Sequence, residues 1–308
     1  MNPPSPALPP GVVVLERGWL SSNNVVVLGR DSAAVVDSGY VTHCSQTVDL
    51  VTRVAGGRPV HLLVNTHLHS DHCGGNAVLQ EAFPGIRTLI PPGLAAAVRD
   101  WDEVALTYEP TGQRCPRFGF DATLEPGGTV LLGDLRWQAH SAPGHDPHSV
   151  ILFEPESRTL ISADALWEHG FGVVFPELEG KSAFAEVAAT LEVIERLRPK
   201  VVIPGHGRVF TCVEESLARA RSRLAAYLAD PRRHATHAAK VLLKFKLLEL
   251  QEASWDDFVA WAEATPYLRL LHERFQLAPT SGAWSRQLLE DLIAGGSARR
   301  EGNQLLNA

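Results

Sequence analysis

The segment that most constrains this chain is Thr66-His67-Leu68-His69-Ser70-Asp71-His72-Cys73-Gly74-Gly75-Asn76, which follows the apolar run His61 to Val64. Three imidazoles and a carboxylate fall within six positions. Alternate residues of an extended segment face the same way, so His67 and His69 can grip one ion together. Asp71 and His72, past the bend, are presented to a point a little further on. Gly74 and Gly75 let the backbone turn into a helix without a Cβ clash. So dense a set of borderline nitrogen and oxygen donors is the composition of a transition-metal site rather than of a solvated loop.

The rest of the composition narrows what such a site can serve. The chain of 308 residues has 13 histidines, roughly twice ordinary usage. Its four cysteines, Cys44, Cys73, Cys115 and Cys212, form no CxxC pair, which argues against a zinc knuckle or a disulfide scaffold. A formal charge of -7, from 28 basic and 35 acidic side chains, argues against a chain whose main business is holding nucleic-acid phosphate. The hydrophobic fraction of 45% and charged fraction of 20% are those of a globular protein. No apolar run reaches the roughly 18 residues of a membrane helix. The start, MNPPSPALPPGVVVLERG, has neither a basic n-region nor an apolar h-region, so a cytoplasmic location is expected.

Residues 1–10 hold five prolines and read as an extended lead-in. A main domain is expected over 11–212. Short β-branched runs at Val12–Leu15, Asn24–Leu28 and Ser32–Val36 suggest a meander; helical spacing follows at 45–55, and then the strand ending at Val64. Residues 74–83 and 92–105 read as helices, and 106–121 as a long irregular loop. Strand rhythm resumes at Thr129–Leu132, Leu135–His140, Ser149–Phe153 and Thr159–Ser162, with a helix near 183–196 and a strand at Lys200–Ile203. Over 213–308 only helices are expected, with a frayed tail after Gly295.

Four more metal-ligating types stand at predicted strand ends or in the loops after them: Asp37 in VVDSG, His145 in APGHDPHS, Asp164 in ISADALW and His206 in IPGHG. The ordered set HxHxDH, a later Gly-His, a strand-terminal Asp and a final Gly-His resembles the metallo-β-lactamase superfamily, and within it the glyoxalase II-like hydrolases. The resemblance covers residues 12–212. It implies an α+β fold, an αββα four-layer sandwich of two mixed sheets, here with the helical C-terminal extension. It implies a first metal on His67, His69 and His145, a second on Asp71, His72 and His206, and Asp164 bridging them. Asp37 becomes an anchor behind the ligands. His69 stands where iron-dependent flavin partners of the superfamily place a glutamate, which favours two zinc ions, with iron or manganese as the alternative in one or both sites.

A water shared by two zincs has its pKa drawn toward ~7, so the implied activity is hydrolysis of an ester, thioester or lactone by hydroxide. Asp71 then orients the nucleophile and passes its proton to the leaving group. The alternatives are a mono-iron persulfide dioxygenase and an RNA-processing hydrolase that uses the helical tail. His148, three residues beyond His145, can support a ligand or cap the next strand. Cys73 reads as a packing residue. Tyr108 and Arg117 in the long loop, with Trp167, Glu168, His169 and Phe175 after the bridging aspartate, are substrate-pocket candidates for a small, largely apolar substrate. The helices beyond 213 suit a lid, a winged-helix-like unit or a homodimer face, and their acidic residues make nucleic acid an unfavoured partner.

Overall fold

Parallel strands need long crossovers, and the chain supplies four of them. In the computed structural model, which describes residues 7–275 and 277–308, strands β1 (Val12–Leu15), β2 (Asn24–Leu28), β3 (Ala33–Val36), β4 (Val60–Val64), β5 (Arg87–Ile90) and β6 (Ala122–Thr123) form one sheet in sequence order. The first three are antiparallel, and β3 to β6 are parallel. A second sheet runs β11-β10-β9-β8-β7, from β7 (Thr129–Leu132), β8 (Leu135–Ser141), β9 (Val150–Glu154), β10 (Thr159–Ala163) and β11 (Val201–Pro204). Only its β10–β11 pair is parallel. The first six positions of the proline-rich lead-in lie outside the described residues.

Period-two alternation decides which face is core. Val25, Val27, Ala34, Val36, Leu62 and Val64 of the first sheet join Trp137, Leu152, Ile161 and Ile203 of the second in one buried cluster. The intervening Val26, Val35 and Leu63 face the other way and pack with Val51, Ala55 and Leu79, which belong to helices α1 (Cys44–Ala55) and α3 (Asn76–Ala82). Between those helices lies the single turn α2 (Ser70–Cys73). The expected helix at 92–105 is shorter, with α4 at Ala95–Asp100. The long loop contains the turn α5 (Tyr108–Thr111). After β10 come α6 (Phe175–Leu178) and α7 (Phe184–Leu197), the latter burying Val187, Leu191 and Ile194. The chain has the α+β fold with a helical C-terminal part.

Two compact units divide the chain: residues up to Leu106 with Arg114–Leu224, and Thr107–Gln113 with Ala225–Ala308. The division falls inside α8 (Val213–Ala229), the helix at which the composition changes to helical spacing. The second unit holds α9 (Pro231–Leu250), α10 (Trp255–Ala264), α11 (Pro266–Phe275) and α12 (Ser281–Ala294). Pro231 opens α9 behind Asp230, whose side chain accepts from Arg232 N. The expectation of helices alone is corrected here, and so is that of a frayed tail. β13 (Ala298–Glu301) and β14 (Gln304–Asn307) pair about Gly302 and Asn303, and β12 (Glu252–Ser254) adds to β14. Gly302 has φ 60, as a two-residue hairpin requires, and Leu305 is fully buried. Among the described residues, no helix is long and apolar enough to cross a membrane.

Candidate metal centre

Ligand sites of parallel sheets form beyond the carboxyl ends of the strands, and here two adjacent parallel pairs supply such ends. β3 delivers Asp37, and its neighbour β4 delivers Thr66 through His69; β10 delivers Asp164 and its neighbour β11 delivers His206. His145 comes from the β8–β9 loop. Two residues stand in the left-handed region at these ends, Asp37 at φ 57 and Ala163 at φ 46, a conformation that costs a non-glycine residue about 1–3 kcal/mol. Gly205 leaves room for the site: a Cβ there would run into Asp164 Oδ1 and lie 3.0 Å from His72 Cε1. Gly75, too, is needed for space, because a Cβ would stand 2.6 Å from Ser38 O.

Two groups of donors result, His67, His69 and His145 in one, and Asp71, His72, Asp164 and His206 in the other. Within each group the donor atoms lie within 4.8 Å of one another. His69 Nδ1 and His145 Nε2 are 2.8 Å apart, and His206 Nε2 is 3.0 Å from Asp71 Oδ2. The Asp164 carboxylate faces both groups: Oδ1 is 3.5 Å from His72 Nε2, while Oδ2 is 3.4 Å from His145 Nε2 and 3.9 Å from His206 Nε2. Five of these seven side chains are buried, and His69 and Asp71 keep partial exposure, which places the mouth beside them.

Outer hydrogen bonds choose the ring nitrogens. Asp37 accepts from Thr66 N at 2.9 Å, from Thr66 Oγ1 at 2.8 Å and from His72 Nδ1 at 2.8 Å. His145 Nδ1 donates to Val173 O at 2.5 Å. In both rings Nε2 is thereby left as the donor turned to the site. His67 Nε2 and His72 Nε2 are fully buried with no hydrogen-bond partner, a condition too costly for a folded interior unless something else binds them. A transition-metal ion fits that demand, since every donor is an imidazole nitrogen or a carboxylate oxygen.

The two groups differ in proton affinity. Burial, with neighbouring His72, His69 and His145, pushes His67 well below the usual imidazole value, and burial with His145 takes His69 down to about 4. For His72 burial works in the same direction, but Asp164, Asp37 and Asp71 outweigh it and raise the ring well above its ordinary value. Burial alone would raise Asp164; His72 and His206 hold it well below the carboxylate range. Asp71 is lowered likewise, by His72 and His206 against burial.

The family model described as the metallo-beta-lactamase superfamily matches residues 17–206. The chain belongs to this superfamily. Acyl-coenzyme A thioesterase MBLAC2 of Gallus gallus is 27% identical over 170 residues, 51% of this chain and 59% of that protein. Hydroxyacylglutathione hydrolase of Mesorhizobium japonicum is 28% identical over 216 residues, 69% of this chain and 71% of the other. The solved metallo-beta-lactamase family protein of Thermus thermophilus superposes with a TM-score of 0.58 at 19% identity, covering 98% of this chain and all of its own.

Around these seven donors the remaining residues divide. Phe175 lies edge-on to His69 and His145, with ring centroids 5.1 and 5.8 Å away. Trp167 donates from Nε1 to Asp164 Oδ1 at 3.1 Å. His148 is half-buried against Gly93, and its backbone N–H donates to Asp146 Oδ1 at 2.7 Å. The Glu168 carboxylate meets Cys212 Sγ at 3.7 Å, and His169 is an exposed side chain beside it. Arg117 donates to Arg99 O at 2.9 Å, on a cavity of about 730 Å³ lined by Val98, Phe118 and Phe120 and by none of the seven donors. Tyr108 is buried within the second unit, where α5 packs on α11. Cys73 is buried, with Sγ 3.3 Å from His69 O and 3.8 Å from Cys115 Sγ.

Sequence reading missed Trp19. It stands 59% exposed between β1 and β2, stacked on His206 at 5.5 Å and 13°. Nothing in the pattern around Gly18-Trp19-Leu20 connects it with a histidine so distant along the chain.

Proposed function

We propose that this chain is a dinuclear zinc hydrolase that cleaves a carbonyl ester or thioester. The observation that carries the reading is the pair of donor groups meeting at Asp164, one carboxylate facing both. The relatives named as a coenzyme A thioesterase and a hydroxyacylglutathione hydrolase support a thioester over a lactone. Imidazole and carboxylate donors suit zinc, with iron or manganese as the other occupants.

Two bound ions would supply a nucleophile at neutral pH and a Lewis acid for the substrate carbonyl. The protein's own part begins with Asp71. Its carboxyl is ionised at neutral pH, because His72 and His206 hold its pKa down against burial, and it is partly open at the mouth. Asp71 can therefore take a proton from the attacking water and return it to the departing thiolate or alkoxide. Phe175, against His69 and His145, excludes water on one side, and Trp167 with Trp19 does so beside His206. No serine or cysteine nucleophile is required.

The test is a panel of coenzyme A and glutathione thioesters, oxygen esters, lactones, β-lactams and phosphodiesters, assayed beside metal analysis. Two zincs per chain with thioester or ester turnover is the expected result. One iron, with oxygen consumed on a persulfide, would replace hydrolase by dioxygenase.

A further inference from the structure

Trp167 makes contacts that a substrate-facing aromatic would not need. It begins the tight turn in which its N–H donates to Gly170 O at 2.6 Å, three residues after Asp164. Its indole Nε1–H points back to Asp164 Oδ1 at 3.1 Å. The same ring lies edge-on to His206, centroids 5.6 Å apart at 78°, and meets Trp19 at 5.4 Å. One half-buried side chain thus touches both a carboxylate and an imidazole of the four-donor group, whereas the ring contacts of His67 and His69 are with other histidines and Phe175.

We infer that Trp167 is a positioning residue for Asp164, and that it sets the affinity of the Asp71/His72/Asp164/His206 group for its ion relative to the three-histidine group. The reasoning is geometric, and it rests on the two-ion reading above. A free carboxylate can rotate about its last torsion, which is broad. The indole N–H fixes Oδ1 on the His72 side, so Oδ2 is held between His145 and His206, 3.4 and 3.9 Å away. An N–H to an ionised carboxylate is among the stronger hydrogen bonds, and the partly dry surroundings strengthen it further. The three-histidine group is organised by other bonds, notably His145 Nδ1 to Val173 O, and so depends less on the indole.

The experiment titrates the metal-stripped full-length protein with zinc alone, in competition with a chromophoric chelator, for the unaltered chain and for Trp167→Phe and Trp167→Gln. Outer partners of metal ligands are commonly worth about 10–100-fold in affinity. Trp167→Phe, which keeps a ring and loses the N–H, is expected to weaken the second ion by about that factor and the first by less than about threefold. Trp167→Gln, which offers an N–H without the indole, is expected to recover part of the loss. Equal weakening of both ions would assign Trp167 a general packing role and overturn the inference, as would unchanged affinities or a glutamine variant as weak as phenylalanine. Should phenylalanine fail to fold, the glutamine variant alone decides: a selective loss smaller than about 100-fold supports positioning, an equal loss at both ions overturns it. A single class of zinc site in the unaltered chain would instead remove the two-ion reading, and this inference with it.

Discussion

The two halves of the metal centre are built from the same ring and behave in opposite ways. In the His67/His69/His145 half, burial and mutual proximity keep His67 and His69 neutral, His69 down to about 4. In the Asp71/His72/Asp164/His206 half, carboxylates reverse the effect of burial, so that His72 holds its proton well above the usual range. The first half is a cradle of imidazoles open to an ion at neutral pH. The second carries two carboxylates and must exchange a proton for its ion. Asp164 is the residue whose carboxylate faces both halves, and removing it is the most severe test of the comparison.

Asp164→Ala removes a donor within reach of His72, His145 and His206 at once. Metal content is expected to fall below one ion per chain and hydrolysis by at least about 100-fold, the loss seen when a single stabilising group is deleted from other hydrolase sites. His67→Ala, by contrast, is expected to spare the second ion. Retention of both ions without Asp164 would dissolve the idea of a shared ligand. Asp37→Asn probes the second half from behind, because Asp37 accepts from His72 Nδ1 and from both donors of Thr66. Second-ion affinity should drop by about 10–100-fold, measured by chelator competition, with a smaller change at the first.

The pH dependence separates the halves further. Below its raised pKa, His72 is protonated in metal-stripped protein, so ion uptake there expels a proton and affinity falls about tenfold for each pH unit of acidification. His67 and His69 are already neutral at such pH values and release no proton on binding, so first-ion affinity should fall less steeply with acidification than second-ion affinity. Zinc affinities measured between pH 5 and 8 give the two slopes, and equal slopes would mean that the halves do not differ in this way.

Much of this centre is legible in sequence because its chemistry is concentrated locally. His67, His69, Asp71 and His72 lie on one strand-to-helix turn, and Asp37, Asp164 and His206 stand where predicted strands stop. Strand positions are readable for the same reason: Val25, Val26 and Val27 alternate between two cores. What is not legible depends on pairing across the chain. The hairpin β13–β14 reads as a loose tail because Arg299, Arg300 and Glu301 carry no apolar pattern; Leu305, buried beneath it, and the Gly302-Asn303 turn are the available signals. β5 escapes notice because Arg87–Ile90 alternates over only four residues after Pro84 and Gly85. Tyr108 and Arg117 share one irregular stretch in sequence, yet they fall in different compact units. Trp19 and Trp167 reach the ligands through contacts that no local spacing encodes.

The smallest effect concerns a histidine whose proton affinity burial lowers. His234, on α9 in the second unit, is 1% exposed and lies 4.7 Å from the Tyr227 ring. Burial, aided by His237, lowers its pKa to about 3. An unfolded histidine titrates near 6.5, so between about 6.5 and 3 the unfolded chain binds the extra proton. His234 therefore leaves stability unchanged above pH 6.5 and lowers it as the pH falls through that window, by at most about 1.4 kcal/mol per unit. His72, whose pKa moves upward, acts in a different window in the metal-stripped first unit: its contribution is fully present below the ordinary imidazole value and is lost as the pH rises through its raised one. Hydrogen exchange of the α9 amides, followed from pH 7 to 5 and corrected for intrinsic rates, should report declining protection in the unaltered chain and a flatter profile in His234→Phe. An equally steep decline in both would show that the burial of His234 does not cause it.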